Sequence, residues 1–230
     1  MFKGTSASAG IGIGKAVIVE EAELVITRNE VADAEAEIQR FKGALEKTIA
    51  ATQKMADDLA SRVGEKEAEI MQGHMMLLSD PMLTGEIENS VKNDKVNCEF
   101  AIENVCNMYA DMFASMGDEL MQQRATDMRD IKVRMQRTLM GLESVDVSLL
   151  PKRSILVAKD LTPSMTAGIN PENVSGIVTE LGGKTSHSAI LARALEIPAV
   201  VAVNGLMDAV KDGDKVVLDG STGEVFVDPE

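Results

Sequence analysis

The chain has no uncharged apolar run approaching the roughly 18 residues of a membrane span, and its opening, MFKGTSASAG, lacks the basic segment and apolar core of an export signal. A cytoplasmic protein is therefore expected, with no membrane partner. Cysteine is almost as scarce: Cys98 and Cys106 are the only two. They fall in what reads as a single helix, which separates them by about 12 Å at a rise of ~1.5 Å per residue, so they cannot bridge each other. With two histidines and no CxxC pair, the sequence also lacks a zinc-ligand pattern, and no metal is expected. Positive charge is in deficit. Lys and Arg number 23 against 37 Asp and Glu, a net charge of −14 that would repel a nucleic-acid backbone over most approaches. A basic protein partner would be attracted instead.

What is present points to a globular protein of one or two domains: 230 residues, of which 45% are hydrophobic. Composition shifts near residue 29 and again near 145. Between them the pattern is helical. Val31, Ile38, Leu45, Thr52 and Leu59 form one series, and Ala34, Phe41, Thr48 and Met55 a second, which together predict a long helix over about 30–62 ended by Gly64. A second helix is expected from Glu65 to Leu78, and Ser79-Asp80-Pro81 ends it and starts a third, with Ser79 or Asp80 as N-cap. Two more are expected, over about 98–121 (Ile102, Val105, Tyr109, Met112, Met116, Leu120) and 125–142 (Met128, Ile131, Met135, Leu139, Leu142). This middle section reads as an antiparallel helical bundle.

The flanks are different. KAVIVE (15–20), SILVAK (154–159), SGIVTE (175–180), PAVVAV (198–203), KVVLDG (215–220) and EVFVDP (224–229) are short β-branched runs bounded by turn residues. The last two are joined by a hairpin signal, Ser221-Thr222-Gly223. A lone strand at 15–20 has no local partner and must join the C-terminal strands. The expected architecture is thus a discontinuous α/β domain (1–28 and 145–230) interrupted by an all-α bundle (29–144).

The bundle carries −9 of the net charge and twelve of the fifteen methionines. Met71, Met75, Met76 and Met82 cluster around the second helix break, and Met75-Met76-Leu77-Leu78 cannot all face one core. Part of this ridge is expected to be exposed, ringed by Glu65, Glu67, Glu69 and Asp80, as suits a basic partner with an apolar centre.

One stretch concentrates chemistry: GGKTSHSAILARALEIP (182–198). The glycines permit a tight turn, Thr185 or Ser186 is a suitable N-cap, and Pro198 prevents the helix from continuing. His187 then falls in the first helical turn, where the dipole favours anions and disfavours imidazolium. A neutral imidazole there can attack a phosphoryl group, with Gly182, Gly183, Thr185, Ser186 and Ser188 as a phosphate cradle. A histidine that merely caps the helix is the alternative. GIGIGK (10–15) is not a Walker loop, since Ala9 and Ala16 stand where Gly and Ser or Thr are required.

GGKTSHSAILAR (182–193) resembles the phosphohistidine signature of the phosphoenolpyruvate-utilising enzymes. ASAGIGIGKA (7–16), GHMMLLSDPML (73–83), RATDMRDI (124–131) and LTPSMTAGI (161–169) extend the similarity, over essentially the whole chain, to the Enzyme I family of the bacterial sugar phosphotransferase system. The resemblance implies a swivelling α/β phosphohistidine domain with an inserted helical subdomain that binds the phosphocarrier HPr. It implies a transferase in which His187 carries the phosphate on Nε2 and Thr166 hydrogen-bonds the other ring nitrogen. Glu65, Glu67, His74, Met76, Leu77, Asp80, Leu83, Phe113 and Arg124 match HPr-contacting positions. Two positions depart from the family pattern: Glu67, after Lys66, stands where enteric relatives carry a lysine, and Met82 stands where an acidic residue would meet HPr. Family members continue into a C-terminal barrel that binds phosphoenolpyruvate and Mg²⁺ and forms the dimer. Nothing in this sequence resembles it, so a monomeric fragment is expected that exchanges phosphate with HPr, needs no cofactor of its own and cannot take phosphate from phosphoenolpyruvate. A non-catalytic HPr-binding module, and a fragment of a phosphoenolpyruvate synthase or dikinase, are the alternatives.

Overall fold

The computed structural model describes residues 1–229, and along them short strands flank a run of five long helices. In chain order these are β1 (Phe2–Lys3), β2 (Thr5–Ser8) and β3 (Ile11–Ile18), then α1 (Ala34–Arg62), α2 (Glu65–Leu78), α3 (Pro81–Asp94), α4 (Cys98–Ser115) and α5 (Glu119–Met140). A single 3₁₀ turn (Val147–Leu149) leads into β4 (Ser154–Ala158), α6 (Pro163–Ala167), β5 (Val174–Thr179), α7 (His187–Ala194), β6 (Ala199–Val201), α8 (Leu206–Ala209), β7 (Lys215–Asp219) and β8 (Glu224–Val227). The chain separates into two compact units, one of residues 1–21 with 145–230 and the other of 22–144.

In the first unit the strands form one sheet in the order β1-β8-β7-β3-β4-β5-β6-β2. The early strand β3 runs parallel to β4 and antiparallel to β7, so it has the C-terminal partners that its isolation in sequence demands. Strands β3 to β6 are mutually parallel, and the inner strand β4 is buried throughout, as a parallel strand covered on both faces must be. Its side chains alternate between two cores. Ile155 and Val157 pack with Val178, Val200, Val216 and Leu218, whereas Leu156 and Ala158 pack with Ala189 and Ala192 of α7 and with Leu161 and Ile169 beside α6. Strands β1 and β2, not foreseen from the sequence, are the two opposite edges of the sheet, yet Gly4 alone separates them. An open sheet of this size would hold its edges about 34 Å apart at ~4.8 Å per strand, which one residue cannot span. The sheet therefore curls until its edges meet. Gly4 N donates to Gly223 O at 2.8 Å, and the Ser6 hydroxyl donates to Gly220 O.

In the second unit α1 to α5 share one core built on Ile38, Phe41, Leu78, Leu83, Ile87, Ile102, Met128, Ile131 and Met135. Asp33 caps α1 by accepting from Ala36 N at 3.0 Å. Its buried face is Ile38, Phe41, Ala44, Thr48, Thr52, Ala56 and Leu59, so Ala44 and Ala56 join the expected seam, while Leu45 packs half-buried against the same core and Met55 is half-buried. A strict seven-residue seam drifts off one face of a helix that has 3.6 residues per turn. Thr48 and Thr52 enter the core because each hydroxyl donates to the carbonyl one turn earlier, at 2.8 and 2.7 Å.

The α4–α5 boundary also differs from the expectation. Helix α4 ends at Ser115 because Gly117 turns the chain with φ of +78°, and Asp118 caps a new helix by accepting from Met121 N at 2.9 Å. Leu120 therefore falls in the first turn of α5. The helical unit begins at Ala22, ahead of the composition shift at 29. Residues 22–33 are not helical, but they are tied to the α3–α4 connection: Asn29 N donates to Asn97 Oδ1 at 2.8 Å, Asn97 Nδ2 to Thr27 O at 3.1 Å, and Val31 N to Lys95 O at 2.8 Å.

Candidate functional site

At the C-terminal end of β5 the chain leaves the sheet through Glu180 and Leu181, turns at Gly182 and enters α7. Gly182 has φ of +101°, a value that favours glycine, while Gly183 has nothing within 4 Å of where a side chain would begin. The requirement for glycine is thus conformational at the first position, and the second leaves the loop open. Ser186, rather than Thr185, is the N-cap. Its hydroxyl donates to Gly183 O at 2.8 Å and accepts from Ala189 N at 3.3 Å. Ser188 Oγ lies 3.0 Å from Ser186 Oγ, and since the Ser186 hydrogen is committed to Gly183, Ser188 is the donor. Thr185 is exposed, Ser188 is buried, and His187 is the first residue of α7 and half-buried.

Helix α6 packs against α7. Thr162 caps it through Met165 N at 3.2 Å, with Pro163 in the first turn. Thr166 is 1% exposed, and its hydroxyl donates to Thr162 O at 2.9 Å. Its single hydrogen is used, so towards any further group Thr166 acts as an acceptor. The hydrogen bond expected between Thr166 and His187 Nδ1 is not formed in this structure.

Two residues given no role in the sequence reading, Arg193 at the end of the signature and Asp160 outside it, complete this end of the sheet. Arg193, in the last turn of α7, donates to Ala7 O at 2.8 Å and to Lys184 O at 3.0 Å, fixing the loop against β2. Asp160 Oδ1 lies 3.8 Å from the position a Gly182 side chain would take. Desolvation pushes the Asp160 carboxyl above the ordinary range, against the pull of the Leu161 amide that donates to it at 2.9 Å.

The helical unit presents the second set of residues. Met76 and Met82 are 69% and 66% exposed, while Leu78 is fully buried, so the four-residue apolar run divides between core and surface. Glu65 is exposed; Glu67, Leu77, Asp80, Phe113 and Arg124 are half-buried. Asp80 caps α3 by accepting from Met82 N at 2.8 Å. Phe113 packs in a tilted arrangement on Tyr109, ring centroids 6.4 Å apart, and Arg124 lies across α2 in the space that Gly73 leaves. Two expected surface residues are not at the surface. Leu83 is 1% exposed and belongs to the core, and His74 is wholly buried, with Nε2 3.0 Å from Asp127 Oδ1 of α5. Both face inwards because α4 and α5 cover the sides of α2 and α3 on which they stand.

Met108 and Met112 of α4 and Met116 at its C-cap recur at a spacing of four and are all exposed, as is Leu120. Three of these were expected to pack inward; the apolar period of α4 simply runs on past Ala110, its last fully buried residue. As for metals, Glu37, Cys98 and Glu99 bring ligand atoms within 4.8 Å of one another. The Arg40 guanidinium already occupies that cluster, at 2.9 Å from Glu37 and 3.1 Å from Glu99 Oε2, and burial holds the Cys98 thiol protonated. Among the described residues no helix is long and apolar enough to cross a membrane.

Comparison with known proteins agrees with both units. Residues 3–124 match the family described as "PEP-utilising enzyme, N-terminal", and 150–223 match "PEP-utilising enzyme, mobile domain". The phosphoenolpyruvate-protein phosphotransferase of Bacillus subtilis (strain 168) is 41% identical over 99% of this chain, and that of Listeria monocytogenes 42% identical over the same share. The chain spans 40% of the length of each. An NMR structure of Enzyme I (nEIt) superposes with a TM-score of 0.85 at 40% identity, covering 100% of this chain and 94% of that one. A structure of the N-terminal domain of Enzyme 1 - Nitrogen does so with 0.66 at 27% identity and the same coverage. With its signature histidine at the start of α7 and both of its units matched, the chain belongs to the phosphoenolpyruvate-utilising enzymes and corresponds to the N-terminal domain of Enzyme I.

Proposed function

We propose that this chain is a phosphotransferase domain in which His187 accepts a phosphoryl group from, and returns it to, the phosphocarrier HPr. The observation that carries the proposal is the position of His187 at the first residue of α7, behind the Gly182 turn and beside α6. Thr166 would orient the ring once the two come within hydrogen-bond reach, a contact this structure does not make through Nδ1. Because its hydrogen goes to Thr162 O, it could then only accept from a ring N–H, which would select the tautomer protonated at Nδ1 and leave the Nε2 lone pair free to attack. In the transfer the N–P bond of phospho-HPr breaks as the bond from Nε2 to phosphorus forms, and no net proton moves. The first-turn amides of α7, with Gly182, Gly183, Thr185, Ser186 and Ser188, hold the phosphate oxygens.

HPr docks on the helical unit. Exposed Met76 and Met82, with the α4 methionines, supply an apolar surface, and Glu65, Glu67 and Asp80 supply negative charge for a basic partner. Leu77, Phe113 and Arg124 frame it. His74 and Leu83 contribute by holding the surface in shape rather than by contact. The α/β unit acts as the swivelling carrier, and phosphoenolpyruvate and Mg²⁺ are the business of the C-terminal region that the longer relatives possess.

Incubation with phosphorylated HPr should label the chain with an acid-labile, base-stable phosphate, and His187→Gln should abolish the label. Equal labelling of that variant would overturn the proposal. Phosphoenolpyruvate with Mg²⁺ alone should leave the chain unlabelled.

A further inference from the structure

Far from His187, at the N-terminal ends of β4 and β5, the α/β unit has an open cleft of about 820 Å³. That volume lies within the roughly 300–1,000 Å³ typical of small-molecule sites. Ile13, Ala16, Val17 and Pro151 line it with apolar surface, and Lys15, Lys152, Arg153 and Lys215 converge on it. These are four of the nine Lys and Arg residues of the unit, gathered around one cleft of an acidic chain. Among the described residues none of the four forms a salt bridge, whereas Lys3 pairs with Glu224 and Arg193 is spent on backbone carbonyls. The one carboxylate in the lining, Asp212, is engaged by the Ile18 amide at 3.0 Å.

The backbone is shaped to the same place. Arg153 has φ of +60°, which is uncommon for a residue with a side chain. Its carbonyl accepts from Lys15 N at 3.1 Å and passes so close to Gly14 that a side chain there would come within 2.0 Å. The GIGIGK stretch, rejected as a Walker loop, lies in strand β3 from Ile11 onward, and its last Gly-Lys pair forms this wall of the cleft.

We infer that the cleft binds a small organic polyanion of nucleotide size, its phosphates held by Lys15, Lys152, Arg153 and Lys215 and its apolar body lying on Ile13, Val17 and Pro151. Convergent cations focus potential on an anion, and the apolar lining asks for more than inorganic phosphate. The site is separated from His187 by about the length of β5, roughly 20 Å at ~3.3 Å per residue, so the two can be read independently.

The test is an NMR titration of the isotope-labelled full chain with three probes: ATP, pyrophosphate and adenosine. ATP should shift the amides of Gly14, Lys15, Arg153 and Gly213, pyrophosphate should shift the same amides with weaker affinity, and adenosine should shift none of them. The double variant Lys152→Gln, Lys215→Gln, at two exposed residues, should keep its melting temperature and weaken ATP binding by about tenfold or more. Silence of these four amides at millimolar ATP would overturn the inference, as would shifts confined to 182–190 or undiminished binding by the double variant. The proposed transfer at His187 stands or falls separately, by its labelling.

Discussion

Leu83 and Met76 are both large apolar side chains beside the second helix break, yet one is 1% and the other 69% exposed. Truncation should separate them. Leu83→Ala removes buried contacts and leaves a cavity, so it should lower the stability of the helical unit by about 2–5 kcal/mol, whereas Met76→Ala should stay within ~0.5 kcal/mol. Tyr109 lies in that unit and is the only tyrosine of a chain without tryptophan, so its fluorescence during urea unfolding reports this unit alone. Equal losses in the two variants would mean that the surface and the core have been misassigned. The spacing of apolar residues along α2 and α3 placed both on helices but could not say which flank of each helix the other helices cover. His74 shows the same limit. Its helix was legible, but its partner Asp127 lies on α5, and nothing local to either residue announces that pairing. By contrast His187 was legible because the chemistry of a helix start, a glycine turn, hydroxyl residues and a histidine, is written contiguously.

At the scale of elements, agreement follows the strength of local punctuation. Helix α2 begins at Glu65 and ends at Leu78, as read from Gly64 and Ser79-Asp80-Pro81, and the hairpin of β7 and β8 turns at Ser221–Gly223. The α4–α5 break was placed too late because the apolar period continues through Met116 and Leu120 and masks Gly117-Asp118. That break now has a mechanism, and Asp118→Ala tests it. Loss of the side-chain acceptor for Met121 N should lower stability by about 1 kcal/mol and speed amide exchange at Met121 relative to the middle of α5. Unchanged exchange there would show that Gly117 alone sets the boundary. Strands β1 and β2 escaped notice for another reason. They are two and four residues long and carry no periodic pattern, and they exist because the curled sheet has edges to be closed.

For the molecule as a whole, the division into an α/β unit and a helical insertion was legible from composition. The extended segment 22–33 was not, because its attachment runs through Asn97 and Lys95, distant in sequence. The titratable groups with resolved shifts are concentrated in the helical unit, and they bound its stability on both sides. Arg40 holds the Glu99 carboxyl below its ordinary 4.5, and Gln136 and Lys132 do the same for Glu103, in each case against desolvation. Groups lowered in the folded state stabilise it fully above about 4.5 and lose that contribution as pH falls through their depressed values. Burial acts at the other end. It raises both thiols, Cys106 from 9.0 to about 12 and Cys98 further still. Their contribution is complete below pH 9, where folded and unfolded thiols are both protonated, and is lost between there and the folded value as only the unfolded chain ionises. The upper bound on that slope is ~1.4 kcal/mol per pH unit for each thiol. Urea unfolding followed by circular dichroism should therefore show a plateau from about pH 5 to 8.5, with a fall on either side. Cys98→Ala, Cys106→Ala should lower the plateau, through the cavities it leaves, but flatten the alkaline limb while preserving the acid one. An alkaline limb that survives unchanged in the double variant would assign the loss to groups other than the buried thiols.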